Sequence, residues 1–166
     1  MTLSIEPAGP DDLQDSAALR NTVADHLTRL YGHGHWSSQV SERGLLSALK
    51  NSQILVARTD QRHIVATATL ASKKPWGIDP SYFAASKRPI YLVDMAVDPP
   101  RQREGVGRQL LVRAAELARG GTRDAIRLDA YDGPAGAGDF YRKSGYREVG
   151  RVIYRGTALT YFELIL

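Results

Sequence analysis

Two glycines and two arginines are concentrated at the start of a predicted helix in the second half of the chain. The segment reads Gln102, Arg103, Glu104, Gly105, Val106, Gly107 and Arg108. Glycine lets the backbone approach a ligand closely, and the amide groups of a first helical turn are available to phosphate oxygens. The arginines lie at the positive end of the helix dipole, where they are badly placed unless an anion binds. The pattern therefore favours a phosphate-binding site.

Two common nucleotide-binding patterns are excluded for this segment. The dinucleotide fingerprint needs a third glycine three residues after Gly107, where the chain has Leu110. The Walker pattern needs Gly-Lys followed by Ser or Thr, which is also absent. Because a Gly-x-Gly pair alone is a weak signal, the flanking sequence has to identify the ligand.

The segment and its flanks resemble the GNAT superfamily of acyl-CoA-dependent N-acyltransferases. The family pattern is Gln/Arg-x-x-Gly-x-Gly/Ala after a strand that ends in an Asp-Pro-like turn, and here Asp98-Pro99 precedes Gln102, Gly105 and Gly107. The predicted element order is similar over nearly the whole chain. Residues up to about 72 resemble the family in pattern only.

The resemblance implies a binding site for acetyl-CoA as cosubstrate. In such enzymes the pyrophosphate lies on amides of the loop and helix start, and the pantetheine arm pairs with the preceding strand like an added strand. The acyl carbonyl would accept a hydrogen bond from an amide near Val97. The implied cofactor-binding residues are Met95, Ala96, Val97, Gln102, Arg103, Glu104, Gly105, Val106, Gly107 and Arg108, together with Asp132 and Tyr141.

Tyr141 is the predicted catalytic acid. It belongs to a second segment that resembles the family, Phe140-Tyr141 followed by Gly145-Tyr146. The resemblance implies that its phenol protonates the departing thiolate, which is reasonable because a thiol has a pKa of about 8.5 and a phenol of about 10. The alternative interpretation is a core aromatic residue on a short helix.

Asp94 is the predicted catalytic base, at a position where many family members carry an acid. It could take a proton through water or attract an ammonium substrate. A strand period of two places Asp94 on one face with Leu92 and Ala96, opposite Met95. An acid that simply pairs with a nearby arginine is an equally good interpretation.

One position departs from the family pattern. The frequent asparagine of the family falls here on Pro134, which can donate a hydrogen bond neither from its side chain nor from its backbone. Asp132 is the candidate substitute in the cofactor contact.

Aromatic and histidine residues in two irregular segments are candidates for acceptor binding. They are His33, His35, Trp36, Trp76 and Tyr82. In the family fold the first segment borders the acceptor pocket, and residues 72–88 form a long loop that suggests a lid or a pocket wall. For any single one of these aromatics, packing alone is the competing interpretation. No carboxylate or third histidine near His33 and His35 completes a metal site, so we expect no metal.

The elements that position these residues follow from hydrophobic periodicity. A helix is predicted to start at Pro10–Asp12 and to stop at Gly32, because Leu19, Val23, Leu27 and Leu30 recur every three to four positions along one face. Apolar residues at the same spacing over residues 106–118 predict a second long helix, and β-branched runs predict a hairpin over residues 54–71. The resulting order is β-α-α-β-β-β-α-β-α-β-β. We predict an α/β fold (α+β mixed) with a central mixed, mostly antiparallel sheet flanked by helices on both faces, as a single domain over residues 1–166. Both faces of the last strand are expected to be covered.

Composition limits the possible classes of function. The chain has 166 residues with 43% hydrophobic residues, no cysteine and a net charge of +4, and residues 101–127 hold seven arginines against three acids. The absence of cysteine excludes thiolate metal sites and cysteine nucleophiles. No apolar run has the length of about 18 residues that a membrane helix needs, and no secretory signal is recognisable, so we expect a cytoplasmic protein.

The sequence thus predicts an N-acetyltransferase that moves acetyl directly from acetyl-CoA to a primary amine of an unidentified acceptor. The alternative is a non-catalytic CoA-binding or interaction module with the same fold. No nucleic-acid motif accompanies the basic residues, so neither nucleic acid nor a membrane is expected as a partner. A closing strand with two apolar faces makes a homodimer possible.

Overall fold

The computed structural model describes residues 2–166, and the strands of this range form one seven-stranded sheet in the order β1-β2-β3-β4-β5-β7-β6. The elements are β1 Ser4–Pro7, α1 Leu13–Tyr31, α2 Glu42–Ala48, β2 Ser52–Arg58, β3 Ile64–Ala71, β4 Pro89–Val97, α3 Val106–Gly120, β5 Ala125–Tyr131, α4 Gly138–Lys143, β6 Arg147–Tyr154 and β7 Thr157–Ile165. The β4–β5 pair is parallel, whereas β1–β2, β5–β7 and β6–β7 are antiparallel. The predicted element order and the mixed α+β fold class are confirmed.

The helix boundaries follow from local capping. α1 ends at Gly32, as predicted, because a φ of 79° is accessible to glycine at little cost. α2 begins after Ser41, whose hydroxyl accepts a hydrogen bond from the Gly44 amide at 3.0 Å. The predicted helix start at Pro10–Asp12 is a separate 3-10 turn that leads into α1. Among the helices of residues 2–166, none combines the length and the apolar character needed to cross a membrane.

The first of two compact units contains the described residues up to Leu70 together with Asp94–Ala114. One of its core clusters consists of Leu13, Ala17, Leu45 and Ile54. A buried guanidinium also lies in this unit: Arg58 contacts the Asp12 carboxylate at 2.7 Å and the Glu6 carboxylate at 3.2 Å. Burial by itself would raise the pKa of Asp12, but hydrogen bonds from the Gly9 amide and Arg58, with the charge of Arg58, lower it.

The second unit contains Ala71–Val93 and Ala115–Leu166. β5 pairs with β7 from Ala125↔Ile165 to Tyr131↔Leu159, and β7 pairs on its other side with β6. Residues 159–163 of β7 are buried although successive side chains point to opposite faces, so both faces of this strand are covered as predicted. A core cluster of Ile78, Phe83, Tyr91 and Tyr161 lies on one of these faces.

Candidate active site

The glycine-rich segment forms the loop between β4 and α3 in the first unit. The Gln102 side chain donates a hydrogen bond to the Val97 carbonyl at 3.1 Å, which ties the loop to the end of β4. Arg103 and Gly105 then adopt left-handed backbone angles, with φ of 67° and 81°. Left-handed geometry at a residue other than glycine costs about 1–2 kcal/mol, and such strain is concentrated at functional sites.

The loop runs directly into the first turn of α3. The Gln109 amide is bonded to the Gly105 carbonyl at 3.1 Å, so the amides of residues 106–108 precede the regular hydrogen bonds of the helix. A Cβ placed on Gly105 would meet no atom within 4 Å, so the space above this residue is open. Arg103 and Arg108 are exposed at the same helix end, and Arg101 pairs with Glu104 at 3.5 Å. The segment combines amide donors, positive charge and open space, which is what a phosphate group requires.

The backbone of β4 is irregular at Asp94, which corrects the expectation of regular alternation. Its φ of 55° lies in the left-handed region, and its side chain is 46% exposed while Leu92 and Ala96 are buried. The carboxylate contacts the Arg20 guanidinium of α1 at 3.0 Å. The arginine-paired interpretation therefore describes the observed contact, and the exposed Asp94 carboxylate does not share the burial of Leu92 and Ala96. The role of Asp94 as catalytic base stays a prediction.

The pairing of β4 with β5 is confined to the start of β4. Its register runs from Pro89↔Ala125 to Tyr91↔Arg127. Met95, Ala96 and Val97, the residues predicted to pair with pantetheine, follow the irregularity at Asp94, and Ala96 is buried while its two neighbours are half-buried.

Tyr141 lies in α4 in the second unit and is 8% exposed. Its ring packs against Phe140, Tyr146 and Phe162 at centroid distances of 5.2, 5.8 and 5.7 Å. Burial, followed by the negative charge of Asp129, raises the pKa of Tyr141. Tyr141 is thus a core residue whose phenol is protonated at ordinary pH. Its packing does not exclude a role in proton donation.

Asp129 is a residue that the motifs did not identify. It lies half-buried in the middle of β5, directly opposite Tyr161 of β7. A Cβ on Gly77 would lie 3.2 Å from its carboxylate oxygen Oδ2. The available signal was the polar residue at the centre of a predicted strand, but no spacing pattern connected it with Tyr141.

The loop of residues 72–88 is fixed to β5 and β7 by buried side chains. The Tyr161 hydroxyl donates to the Gly77 carbonyl and accepts from the Asp79 amide at 3.1 Å. The Arg127 guanidinium donates to the Ala84 carbonyl at 2.8 Å, and the Glu163 carboxylate accepts from the Ala84 amide at 3.4 Å. Of the two predicted roles, lid or pocket wall, these contacts favour a wall.

The predicted acceptor residues differ in their surroundings. In the first unit His33 and His35 are exposed, whereas Trp36 folds back over Gly34 and donates from Nε1 to the Gly32 carbonyl at 2.9 Å. The glycine is required there because a Cβ on Gly34 would lie 2.5 Å from the Trp36 ring.

In the second unit Trp76 is 82% exposed and Tyr82 is 43% exposed. Tyr82 contacts Tyr161 edge to face at a centroid distance of 5.4 Å, so part of its ring has a packing role. The described part of the chain contains no group of three or more His, Cys, Asp or Glu side chains arranged to hold a metal ion.

Asp132 follows β5 at the surface of the second unit. Its amide donates to the Ala158 carbonyl at 2.9 Å, and its carboxylate lies 3.8 Å from the Arg151 guanidinium. The turn after it requires glycine at position 136, because a Cβ there would lie 1.7 Å from the Tyr131 carbonyl oxygen. The cofactor contact of Asp132 stays a prediction.

Comparisons with known proteins agree with this geometry. The chain matches the fold of a Brucella melitensis ribosomal-protein-alanine N-acetyltransferase with a TM-score of 0.75 at 21% identity, covering 98% of this chain and 99% of that one. A Salmonella typhimurium protein solved with its cofactor acetyl-CoA matches with a TM-score of 0.73 at 18% identity, with coverages of 100% and 95%. A Thermoplasma acidophilum N-acetyltransferase in complex with coenzyme A matches with a TM-score of 0.75 at 15% identity over 100% of both chains.

Sequence comparison gives the family directly. No curated protein matches the chain in a sequence search. The model of the acetyltransferase (GNAT) domain, however, matches residues 50–148. This range is more than half of the chain and includes β4, the glycine-rich loop, α3 and Tyr141. The protein belongs to the GNAT acetyltransferase family.

Proposed function

We propose that the protein transfers an acetyl group from acetyl-CoA directly to a primary amine. The observation that carries the proposal is the segment from β4 to α3, where a left-handed Gly105 leads into a 15-residue helix with Arg103 and Arg108 exposed at its start. The family match covers this segment, and two proteins of similar fold were solved with acetyl-CoA or coenzyme A.

The cosubstrate is proposed to lie along one continuous stretch of the first unit. The amides of residues 106–108 bind the pyrophosphate, and Arg103 and Arg108 supply positive charge. The open space above Gly105 fits this role, since a Cβ on this residue would meet no atom within 4 Å. The backbone of residues 95–97 pairs with the extended pantetheine, and the Val97 amide donates to the acyl oxygen as negative charge develops on it.

Tyr141 is proposed to protonate the sulfur that leaves. Burial, with the charge of Asp129, raises its pKa, so the phenol is protonated at ordinary pH but is a weaker acid than a free phenol. Removal from water also raises the pKa of a thiol, whose ordinary value is about 8.5, so donor and acceptor shift in the same direction in a buried site. Because the chain has no cysteine, a cysteinyl acyl-enzyme is impossible and direct transfer needs the fewest assumptions.

Calorimetric titration with acetyl-CoA tests the binding part of the proposal. We expect one molecule to bind per chain, and the double variant Arg103→Ala/Arg108→Ala to bind about tenfold more weakly, which corresponds to about 1.4 kcal/mol. Arg43→Ala, which removes an exposed arginine of α2, is the matched control and should bind like the wild type. Absence of binding heat in a folded sample would refute the proposal.

One observation favours the non-catalytic alternative, a CoA-binding module. The carboxylate of the predicted base Asp94 forms an ion pair with Arg20, so its charge is already compensated before an amine binds. Release of coenzyme A that depends on an added amine distinguishes the two functions. A thiol reagent reads this release without background because the protein itself has no cysteine. The catalytic proposal predicts continuous release, and the module predicts binding without release.

A further inference from the structure

Arg20 is a charged residue on the buried side of α1. The buried residues of this helix include Ala17 and Ala24, which lie three positions before and four positions after Arg20 and therefore on the same side of the helix. The Arg20 side chain itself is only 18% exposed. Arginine is almost never buried unless its charge is paired, so the partner of Arg20 is part of its role.

The part of α1 that carries Arg20 is fixed in place. The Asn21 side chain donates to the Val40 carbonyl at 2.9 Å and accepts from the Val40 amide at 2.8 Å. One turn earlier, the Ser16 hydroxyl donates to the Asp12 carbonyl at 2.8 Å. Because a supported helix holds its side chains more precisely than a loop does, Arg20 is well placed to orient a ligand.

The partner of Arg20 is Asp94, at the irregular position of β4. The guanidinium Nη2 lies 3.0 Å from the carboxylate Oδ1, and the Asp94 side chain is 46% exposed. Its left-handed φ of 55° is uncommon for a residue other than glycine, and such geometry is concentrated at functional sites. The contact uses one of the five N–H donors of the guanidinium and one of the two carboxylate oxygens. The pair thus joins a mostly buried cation to an anion that solvent reaches.

Asp94 directly precedes the strand residues that are proposed to bind the pantetheine arm, Met95, Ala96 and Val97. Three residues of extended chain span at most about 11 Å, so the Cα atoms of Asp94 and Val97 are no further apart than this. An ammonium group that binds to Asp94 is therefore close to the proposed position of the acyl group.

An acceptor with an isolated ammonium group fits this ion pair poorly. Its binding to the Asp94 carboxylate competes with Arg20, and a guanidinium that loses its counter-charge while it stays mostly buried is strongly unfavourable. An acceptor that carries a carboxylate beside its ammonium group avoids this penalty, because it gives each member of the opened pair a new partner. The two charged groups of an α-amino acid are attached to the same carbon atom, so they can enter between two side chains that are in contact.

On the basis of the proposed acetyl transfer, we infer that the acceptor is an α-amino acid, with its ammonium group bound by Asp94 and its carboxylate bound by Arg20. During transfer the C–N bond forms and the C–S bond breaks. The ammonium group loses two protons, of which one ends on the sulfur of coenzyme A and the other in solvent. The product is an amide without charge on nitrogen, so it no longer pairs with Asp94 and the ion pair with Arg20 re-forms.

The test compares each of the common L-amino acids with its own α-carboxamide and follows the release of coenzyme A. The carboxamide keeps the ammonium group and the size of the acceptor but lacks the negative charge. We expect the wild type to acetylate at least one amino acid with a kcat/KM about tenfold or more above that of its carboxamide, which is the scale of one hydrogen bond between charged groups.

Variants of the pair separate its two contacts. Arg20→Gln should lower kcat/KM for the amino acid about tenfold but not for the carboxamide, because Asp94 stays available to the ammonium group. Arg20→Lys should restore part of the preference, since it keeps the positive charge. Asp94→Asn should lower kcat/KM for both acceptors about tenfold, and asparagine tolerates the left-handed angle. Arg29→Gln removes an exposed arginine of the same helix and should behave like the wild type.

The Kd for acetyl-CoA should stay within twofold in all these variants, which also shows that they are folded. If Arg20→Gln does not fold, the preference of the wild type and its reduction in Arg20→Lys decide. The inference is overturned if carboxamides are acetylated as well as amino acids, if Arg20→Gln lowers both activities equally, or if the wild type binds acetyl-CoA and acetylates none of the amino acids. Failure of the wild type to bind acetyl-CoA refutes the proposed function itself.

Discussion

Replacing Glu163 by glutamine should destabilise the second unit strongly. The Glu163 side chain is fully buried and its Oε2 lies 3.6 Å from the Nε of Arg127, whose side chain is 6% exposed. Within residues 2–166 these two atoms make no hydrogen bond, so the pair depends on charge. Glu163→Gln removes the negative charge beside the buried Arg127 guanidinium. Arg127 keeps its contacts with the Ala84 carbonyl and the Phe83 ring but loses the charge that compensates its own.

The magnitude follows from burial. Removing one partner of a buried ion pair costs about 3–5 kcal/mol, because the other charge stays desolvated without compensation. Glutamine keeps the shape of glutamate and an acceptor for the Ala84 amide, so we expect the lower end, about 3 kcal/mol. With a urea dependence of about 2 kcal/mol per molar, the unfolding midpoint should fall by about 1.5 M.

Urea unfolding followed by circular dichroism measures this shift. Glu148→Gln is the matched control: its carboxylate pairs with Arg142 and Arg151 but is 30% exposed, so its loss should move the midpoint little. Replacing both partners, Arg127→Met with Glu163→Leu, should recover much of the stability, since no charge is then left buried. Equal midpoints for Glu163→Gln and the control would refute the reasoning.

Three further predictions concern Tyr141 and the turn after β5. Tyr141→Phe should lower kcat at least about 100-fold with little change in the calorimetric Kd for acetyl-CoA; unchanged turnover on a true acceptor would make Tyr141 purely structural. Burial raises the pKa of Tyr141 and Tyr146 above the ordinary value of about 10, so both bind their protons more tightly in the folded state. The free energy of unfolding that this tighter proton binding contributes is fully present below about pH 10 and is lost as the pH rises through the folded pKa values. Tyr141→Phe should therefore lose less stability between about pH 10 and 12 than the wild type. Parallel stability curves would contradict this. Gly136→Ala should lower the Tm markedly because its Cβ would lie 1.7 Å from the Tyr131 carbonyl oxygen, whereas Gly9→Ala, with no atom within 4 Å, should not; equal melting temperatures would contradict the role of the turn.

Local patterns in the sequence predict much of this fold. α1 stops at Gly32 because glycine readily adopts the left-handed angle that ends a helix. α2 starts after Ser41 because the serine hydroxyl accepts a hydrogen bond from an amide of the first turn. The strands were recognisable from β-branched residues and alternation. Features of this kind depend on a few neighbouring residues, so a single sequence is sufficient to find them.

Long-range contacts could not be predicted in the same way. The left-handed angle at Asp94 makes the backbone of β4 irregular although the composition of the strand is regular, and the Asp94 partner Arg20 is 74 residues away in the sequence. The loop of residues 72–88 is held by Glu163, whose contact with Ala84 spans 79 residues. The sequence shows the irregular loop and Glu163 but not the hydrogen bond between them.

The residues of the candidate site likewise fall into those that local motifs predict and those that depend on long-range contacts. The glycine-rich loop and Tyr141 belong to contiguous motifs and were predicted from them. Asp129 has no such motif, and its place beside Gly77 and opposite Tyr161 depends on the pairing of β5 with β7 and on the position of the loop of residues 72–88. Residues that only the tertiary structure brings together are not recognisable from spacing in the sequence, whereas Asp94 stands directly before a recognisable motif.

The most direct test of the account is the release of coenzyme A from acetyl-CoA by the wild-type protein with and without a set of primary amines. We predict release that requires an amine and that equals, mole for mole, the acetylated amine found by mass spectrometry. Binding of acetyl-CoA with no amine-dependent release would contradict the account and identify the protein as a non-catalytic member of its family.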